Sequence, residues 1–277
     1  MERKKIIVAD SSANLTSEDE GFKSVPLKII IGENEFVDDE NLNVTEMLDC
    51  LNNHKGKSST SCPSVGDWLE AFGNADEVYG ISITSHLSGS YNAANIAANE
   101  YIHEYPDRKV FILDSLSTGP EMELLIEKLN ELIASNKSFE EICNEIQEYR
   151  ERTHLVFFLG SISNLARNGR VNHVVAVGAN LLGIRIVGQA STHGELEVLH
   201  KSKGESKAIS KLWQTMLEKG YKGGKVRICH TENEKAALQL ESLIKQEFAD
   251  CDIKIGTNQG LCAYYSEKGG LLVGFES

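Results

Sequence analysis

The segment from residue 58 to residue 64 carries five hydroxyl side chains in seven positions and directly precedes a helix-like stretch, SVGDWLEAF. Hydroxyl groups and the free N–H groups of a helix N-terminus are donors that suit a carboxylate. We call residues 58–64 the hydroxyl segment and consider it a candidate anion-binding loop. Its hydroxyl residues are Ser58, Ser59, Thr60, Ser61 and Ser64.

The residues around the start of this segment resemble the end of a phosphate-binding P-loop, G-x-x-x-x-G-K-[ST]. Gly56, Lys57 and Ser58 match its last three positions. The motif also needs a first glycine directly after a strand. That position is Leu51, and residues 44–53 carry apolar side chains at helical spacing. A nucleotide-binding P-loop is therefore excluded.

Other polar loops follow strand-like segments, among them residues 10–12 and residues 84–94. Serine, threonine and aspartate after a strand are most often ordinary helix N-caps. In the second loop, TSHLSGSYNAA, Gly89 allows a close approach of the backbone to a ligand, and Ser88 and Ser90 supply hydroxyls before a helix N-terminus. This loop is a second candidate for binding an anion.

A serine nucleophile is an alternative interpretation of the same loop. Ser88 and Ser90 lack the G-x-S-x-G string of a nucleophile elbow. His86 is near in sequence, but a catalytic triad also needs an orienting carboxylate. A small-molecule transferase or hydrolase that uses this Ser/Thr cluster stays open as a second class of function.

A third feature lies in the second half of the chain. A short helix-like segment ends at Asn168-Gly169, a C-cap pattern, and Arg170 follows it. An arginine there can simply interact with the helix dipole. The apolar run over residues 174–186, interrupted by Gly178 and Gly183, reads as core and also leaves room for an elongated apolar ligand.

The elements that must position these residues alternate along the chain. Short β-rich segments are separated by helix-like segments at 44–54, 65–73, 90–103, 119–135, 138–151, 205–219 and 232–248. This alternation predicts an α/β fold with mainly parallel pairing. A length of 277 residues suggests two domains. We place them at residues 1–152 and 153–277, where the charge balance changes.

Composition and charge exclude several classes of function. Residues 1–150 hold 12 basic and 28 acidic side chains, a net charge of −16, and residues 151–277 have a net charge of +3. Such an acidic first half disfavours nucleic acid as a partner. No apolar stretch reaches the roughly 18 residues of a membrane span. The six cysteines form no C-x-x-C pair, so we expect no metal and a reducing cytoplasm.

Several strings in order along the chain together resemble the DegV family of bacterial fatty-acid-binding proteins. They include IVADSSANLT, STSCPSVGDWLEAF, ISITSHLSGSYNAA, FILDSLSTGPEMELL, SISNLARNGRV and ICHTENEKAA. The combination of T-S-x-P-S with L-S-G-[TS]-Y is specific, and the similarity covers essentially the whole chain.

The resemblance implies two α/β domains with one long-chain fatty acid buried at and beyond their junction. It implies that the hydroxyl segment binds the carboxylate through Thr60, with Ser61 beside it. Ser88, Gly89 and Ser90 fall on the second contact, and Arg170 falls on the arginine of the family's G-G-R motif. Relatives of the binding subunit of fatty acid kinase present the carboxylate to a separate kinase.

Three motifs depart from the family pattern, and one of them is G-G-R, which appears here as Asn168-Gly169-Arg170. The family's G-x-H-x-G-P-G motif appears here as GTNQGLC, so that Asn258 replaces a histidine near the head group. Its R-G-R-K-K-A motif appears as KGESKA, with Lys203 and Glu205 in place of two arginines. We therefore expect a cytoplasmic fatty-acid carrier without a cofactor, a metal or chemistry of its own. The alternatives are the transferase or hydrolase above and a DegV-like module for another apolar carboxylate.

Overall fold

A computed structural model describes residues 3–16, 21–171 and 183–277 of the chain. Most of the apolar run over residues 174–186 lies outside these ranges. In the described part, the α-helices alternate with the strands as the sequence predicts, and the α/β class is confirmed. The helices are α1 (Val44–Asn53), α2 (Val65–Phe72), α3 (Ser90–Glu104), α4 (Pro120–Ala134), α5 (Phe139–Arg150), α6 (Ser163–Arg167), α7 (Glu205–Glu218), α8 (Glu234–Glu247) and α9 (Gly260–Ser266).

The first sheet is parallel throughout. Its strand order is β2-β1-β6-β7, and each neighbouring pair is parallel. The strands are apolar on both faces because helices cover both: α2 and α3 pack on one face, and α4 and α5 pack on the other. Its strands are β1 (Lys5–Asp10), β2 (Phe22–Val25), β6 (Glu77–Ser82) and β7 (Lys109–Asp114).

The hydroxyl segment is a strand over most of its length, and not the loop that the sequence suggests. β5 (Ser58–Ser61) pairs antiparallel with β3 (Lys28–Ile31), which also pairs with β4 (Asn34–Val37) in a small sheet. Along β5 the exposed and half-buried residues alternate, so Ser58 and Thr60 share the more buried face. Serine is a weak strand former, and pairing with β3 overrides that preference.

The second large sheet has the order β10-β9-β8-β13-β11-β12. Only its β11–β12 pair is parallel, so the prediction of mainly parallel pairing is wrong for this sheet. A short turn joins β9 to β10, which permits only antiparallel pairing, and β13 inserts between β8 and β11. The strands are β8 (Thr153–Leu159), β9 (Ile184–Ala190), β10 (Leu196–Lys203), β11 (Val226–His230), β12 (Ile253–Thr257) and β13 (Leu271–Glu276).

Helix α4 lies between the two large sheets. Its apolar side chains belong to the core of the first sheet, while its N-terminus packs on Gly274 of β13. A Cβ atom at Gly274 would lie 2.5 Å from the backbone of Pro120 and Glu121, so only glycine permits this approach. Helices α7 and α8 cover the opposite face of the second sheet. The second sheet begins at Thr153, next to the domain boundary that we propose.

Helix α9 links the late part of the chain to the small sheet. Ala263 and Tyr264 of α9 pack in one cluster with Ile29 and Ile31 of β3 and with Met47 of α1. Two side chains from the first half of the chain accept hydrogen bonds from backbone N–H groups at the start of α9. Residues of this helix therefore come to lie beside β5.

Candidate functional site

A cavity of about 290 Å³ lies between β5, the loop after β6, helix α9 and one face of the second large sheet. Its volume is at the lower end of the range for ligand pockets. Hydroxyl groups and one guanidinium line part of it, and mainly apolar side chains line the rest. The lining residues are Leu27, Thr60, Ser61, Cys62, Ile83, Leu87, Ser88, Gly89, Thr118, Leu155, Phe157, Leu159, Leu165, Arg170, Leu196, Leu261, Cys262, Tyr265, Ser266 and Leu272.

Thr60 lies at the polar end and is held by a tyrosine that no sequence motif indicates. The hydroxyl groups of Thr60 and Tyr265 lie 2.8 Å apart and form a hydrogen bond. One residue earlier on α9, the hydroxyl of Tyr264 makes the same contact with Ser58, at 2.7 Å. Burial raises the pKa of Tyr265, so this phenol stays protonated and able to donate. Ser61 also lines the cavity, and its hydroxyl donates to the carbonyl of Cys62.

The loop after β6 brings Ser88 and Gly89 to the same end. A Cβ atom at Gly89 would lie 3.3 Å from Sγ of Cys62, so this loop and the residues after β5 approach closely. Ser90 begins α3 and is fully buried. Its hydroxyl donates to Oδ2 of Asp10 at 2.6 Å, which places it behind the cavity wall and not on it.

Arg170 is the one charged side chain among the described residues that line the cavity. Its Nε donates to the carbonyl of Leu87 at 3.1 Å, and its Nη1 donates to the carbonyl of Asn168. Helix α6 ends at Arg167 with Asn168 as its C-cap, and Gly169 adopts a φ of +71°, which turns the chain so that Arg170 can reach these carbonyls. No carboxylate of a described residue pairs with Arg170 within 4 Å. Its positive charge therefore lies near the hydroxyls without a counter-ion from this part of the chain.

The apolar part of the cavity is built on alternate residues of β8. Leu155, Phe157 and Leu159 point to the cavity face, whereas Val156 and Phe158 point into the core on the other face. Leu272 of β13 is the cross-strand partner of Phe157 and continues the same surface. These side chains would contact the hydrocarbon part of a ligand.

Two buried carboxyl groups hold the segments around the polar end. Asp10 accepts hydrogen bonds from the hydroxyls of Ser12 and Ser90 and from the N–H of Ile83. Burial raises the pKa of Asp10. The positions of Ile83 and of the loop that follows it therefore depend on Asp10.

The carboxyl group of Asp38 fixes the position of helix α9. It accepts from the hydroxyl of Ser11 at 2.8 Å and from the N–H of Leu261 at 3.0 Å. Burial raises its pKa to about 6. Gln259, just before α9, donates its N–H to the side chain of Asn14 at 2.6 Å. Polar groups from the first half of the chain thus fix the helix that carries Tyr265.

Asn258 lies one layer behind the cavity. Its amide nitrogen donates to the hydroxyls of Thr231, at 3.0 Å, and Ser266, at 3.2 Å, and Ser266 lines the cavity. The amide oxygen of Asn258 is buried without a hydrogen-bond partner among the described residues. The structure therefore brings together Thr60, Ser61, Ser88, Gly89 and Arg170, and it places Ser90 and Asn258 outside the lining.

This arrangement favours binding over nucleophilic chemistry. Ser88 accepts a hydrogen bond from the N–H of Ser90, and the hydroxyl of Ser90 is directed to a carboxylate. Neither hydroxyl forms a hydrogen bond with a histidine of the described residues. In that part of the chain, no group of three or more histidine, cysteine, aspartate or glutamate side chains could hold a metal ion. Nor is any described helix both long and apolar enough to cross a membrane.

Known proteins resemble this chain over almost its full length. A family model described as an uncharacterised protein of the DegV family matches residues 4–276. A DegV domain-containing protein of Streptococcus pneumoniae is 42% identical over 255 residues, which are 92% of this chain and 91% of that protein.

Solved structures extend the comparison to the fold. A DegV family protein from Eubacterium eligens, loaded with heptadecanoic acid, is 44% identical with a TM-score of 0.95, and the alignment covers 99% of both chains. The fatty acid kinase (Fak) B3 protein of Streptococcus pneumoniae, loaded with linoleic acid, is 40% identical with a TM-score of 0.96 and the same coverage. The family match and these identities show that the chain belongs to the DegV family.

Proposed function

We propose that this protein binds one long-chain fatty acid in the cavity, with the carboxylate between Thr60, Ser88 and Arg170. The observation that carries the proposal is the charge of Arg170, which has no carboxylate partner among the described residues and lines a mainly apolar cavity together with hydroxyl groups. Charge-assisted hydrogen bonds from a guanidinium and from hydroxyls suit a carboxylate. Two relatives of similar structure, loaded with heptadecanoic and linoleic acid, support this ligand class.

The apolar wall would supply most of the affinity. A C16 acid has about 14 methylene groups, and burying each contributes about 0.8 kcal/mol, on the order of 11 kcal/mol before the costs of association. The polar end adds less free energy than the tail but fixes the orientation. The ligand therefore lies with its carboxylate toward β5 and its tail along β8.

In this proposal the protein carries the fatty acid and presents it to a separate fatty acid kinase, without chemistry of its own. The likeness to the Fak B3 protein supports a kinase partner. The six cysteines are free thiols, which fits a reducing cytoplasm. Lys203 and Glu205, which lie at the end of β10 and the start of α7, differ from the family's arginines and would alter the contact with a kinase.

Thr60→Val tests the orientation of the ligand. The change removes the hydroxyl at nearly constant volume, and a hydrogen bond to a charged group contributes roughly 1.5–3 kcal/mol. We expect palmitic acid to bind about 10- to 150-fold more weakly to this variant, and hexadecanol to lose much less. Calorimetric titrations of delipidated protein with both ligands measure the difference.

Ser59→Ala is the matched control, because Ser59 lies on the exposed side of the same strand. It should bind both ligands as the wild type does. Equal losses for the acid and the alcohol in Thr60→Val would show that this threonine does not contact the carboxylate.

A further inference from the structure

A second cavity, of about 320 Å³, lies where α4, α5 and α7 meet the start of β8. The turn between β9 and β10 closes one side of it. Gly194 in this turn lies so close to the loop after β6 that a Cβ atom there would be 2.1 Å from the hydroxyl of Thr84. The lining residues are Ser115, Leu116, Glu121, Arg150, Glu151, Thr153, His154, Leu155, Ala190, Ser191, Thr192 and Lys219.

Two cations line this cavity without an ion pair to any carboxylate of the described residues. Arg150 donates one Nη1 hydrogen bond, to the carbonyl of Asp114 at 3.1 Å. The ammonium group of Lys219 makes no hydrogen bond and no ion pair with residues that the structure describes, although it is half-buried. No described carboxylate lies within 4 Å of either charge. Partly buried charges of one sign favour an anion between them.

The one buried acid in the cavity does not neutralise these cations at mildly acidic pH. Glu121 is 4% exposed, and its Oε1 accepts a hydrogen bond from Thr153 at 2.9 Å. Burial raises the pKa of this carboxyl to about 7. Below that pH it is mostly uncharged, so the cavity then carries a net positive charge.

The other titratable groups near the cavity do not cancel its net positive charge. Burial lowers the pKa of His154 to about 4, so its ring is neutral near pH 7, and its Nε2 lies 3.0 Å from the hydroxyl of Ser277. Burial also lowers the pKa of Lys219, while the charges of Glu121 and Glu197 oppose that shift. Glu151 is exposed to solvent, where its charge is screened.

We propose that this cavity is a second ligand site, which takes a small organic anion with its carboxylate or phosphate group between Lys219 and Arg150. The organic part of the ligand contacts Leu116, Leu155 and Ala190. This site would bind its anion whether or not the first cavity holds a fatty acid. Leu155 lines both cavities and forms the wall between them.

Three anions of increasing size test the site: inorganic phosphate, pyruvate and phosphoenolpyruvate, each titrated into the full chain by calorimetry at pH 6.5. We expect saturable binding of one equivalent of pyruvate or phosphoenolpyruvate in the millimolar range or tighter. Saturation by inorganic phosphate alone, or by none of the three, would overturn the proposal, because the apolar wall would then have no part in binding.

Lys219→Gln should weaken this binding at least tenfold, since it removes a hydrogen bond to a charged group. The control is Lys222→Gln, an exposed lysine three residues away that does not line the cavity. An equal loss in both variants would reveal only non-specific attraction, and no loss in Lys219→Gln would contradict the site. Thr60→Val should bind pyruvate as the wild type does, which separates this site from the fatty-acid site.

The pH dependence of pyruvate binding provides a second test, in which both cations of the cavity are retained. Pyruvate stays ionised from pH 6 to pH 8, whereas Glu121 gains its negative charge in this range and repels the ligand. Pyruvate should therefore bind several-fold more tightly at pH 6 than at pH 8. Most of this difference should disappear in Glu121→Gln, and an unchanged pH profile in that variant would contradict the assigned location.

Discussion

Arg170→Met should weaken the binding of palmitic acid about 10- to 150-fold and should leave the binding of hexadecanol nearly unchanged. The side chain keeps its length but loses the only charge that the described residues contribute to the lining of the first cavity. Hydrogen bonds to charged groups contribute roughly 1.5–3 kcal/mol, and each 1.4 kcal/mol is a factor of ten in affinity. The alcohol makes no charge-assisted bond, so it loses little. Paired calorimetric titrations of delipidated protein give both numbers.

Arg167→Met is the control for this change. Arg167 is the last residue of α6, is exposed and does not line the cavity. Both variants lower the net positive charge of the same short region, so a general electrostatic effect would appear in both. If Arg167→Met weakened palmitate binding as much as Arg170→Met, the carboxylate would not lie at Arg170.

Arg227→Met should lower the free energy of unfolding by about 3 kcal/mol, because it breaks an ion pair between α4 and the second sheet. Arg227 is 1% exposed. Its Nε and Nη2 donate to Glu127 of α4 at 2.9 and 2.6 Å, and Nη2 also donates to Asp252 at 2.9 Å. Removing one partner of a buried pair costs roughly 3–5 kcal/mol. Glu127 keeps Lys254 as a partner, which places the expected loss at the lower end.

Urea unfolding followed by circular dichroism measures this loss, with Lys245→Met as the control. Lys245 pairs with Glu241 one helical turn away on the exposed side of α8, a pair that contributes less than about 1 kcal/mol. A loss in Arg227→Met no larger than in the control would show that this ion pair does not hold the two parts of the chain together.

Local patterns predict much of this fold because they determine helices and caps. The Ser138 capping box with Glu141 begins α5 as its spacing indicates. Strand pairing is not local. The apolar segments of the second sheet have the composition of strands in either orientation, so the sequence could not show that β13 inserts between β8 and β11. The polar residues of β10 that face solvent obscure its strand pattern, and α9 is not among the predicted helix-like segments.

The residues of the candidate site can likewise be predicted only in part from local sequence patterns. Hydroxyl-rich and glycine-containing strings indicate the segments of Thr60 and Ser88, whereas the binding role of Arg170 is implied by the resemblance to the family. Tyr265 and Asp38 carry no such mark, since their roles depend on contacts with residues more than 200 positions away. Asn258 matches a motif position, but it contacts the cavity only through Ser266. A sequence pattern identifies residues that can bind, and the packing of distant segments decides which of them reach the ligand.

Mass spectrometry of an organic extract from the purified, denatured protein tests the central claim most directly. A buried acyl chain dissociates slowly, so about one long-chain fatty acid per protein chain should be present. Delipidation should then lower the melting temperature, because a ligand that binds only the native state stabilises it. An extract without stoichiometric fatty acid, together with no change in melting temperature on adding palmitate or oleate, would contradict the proposed function.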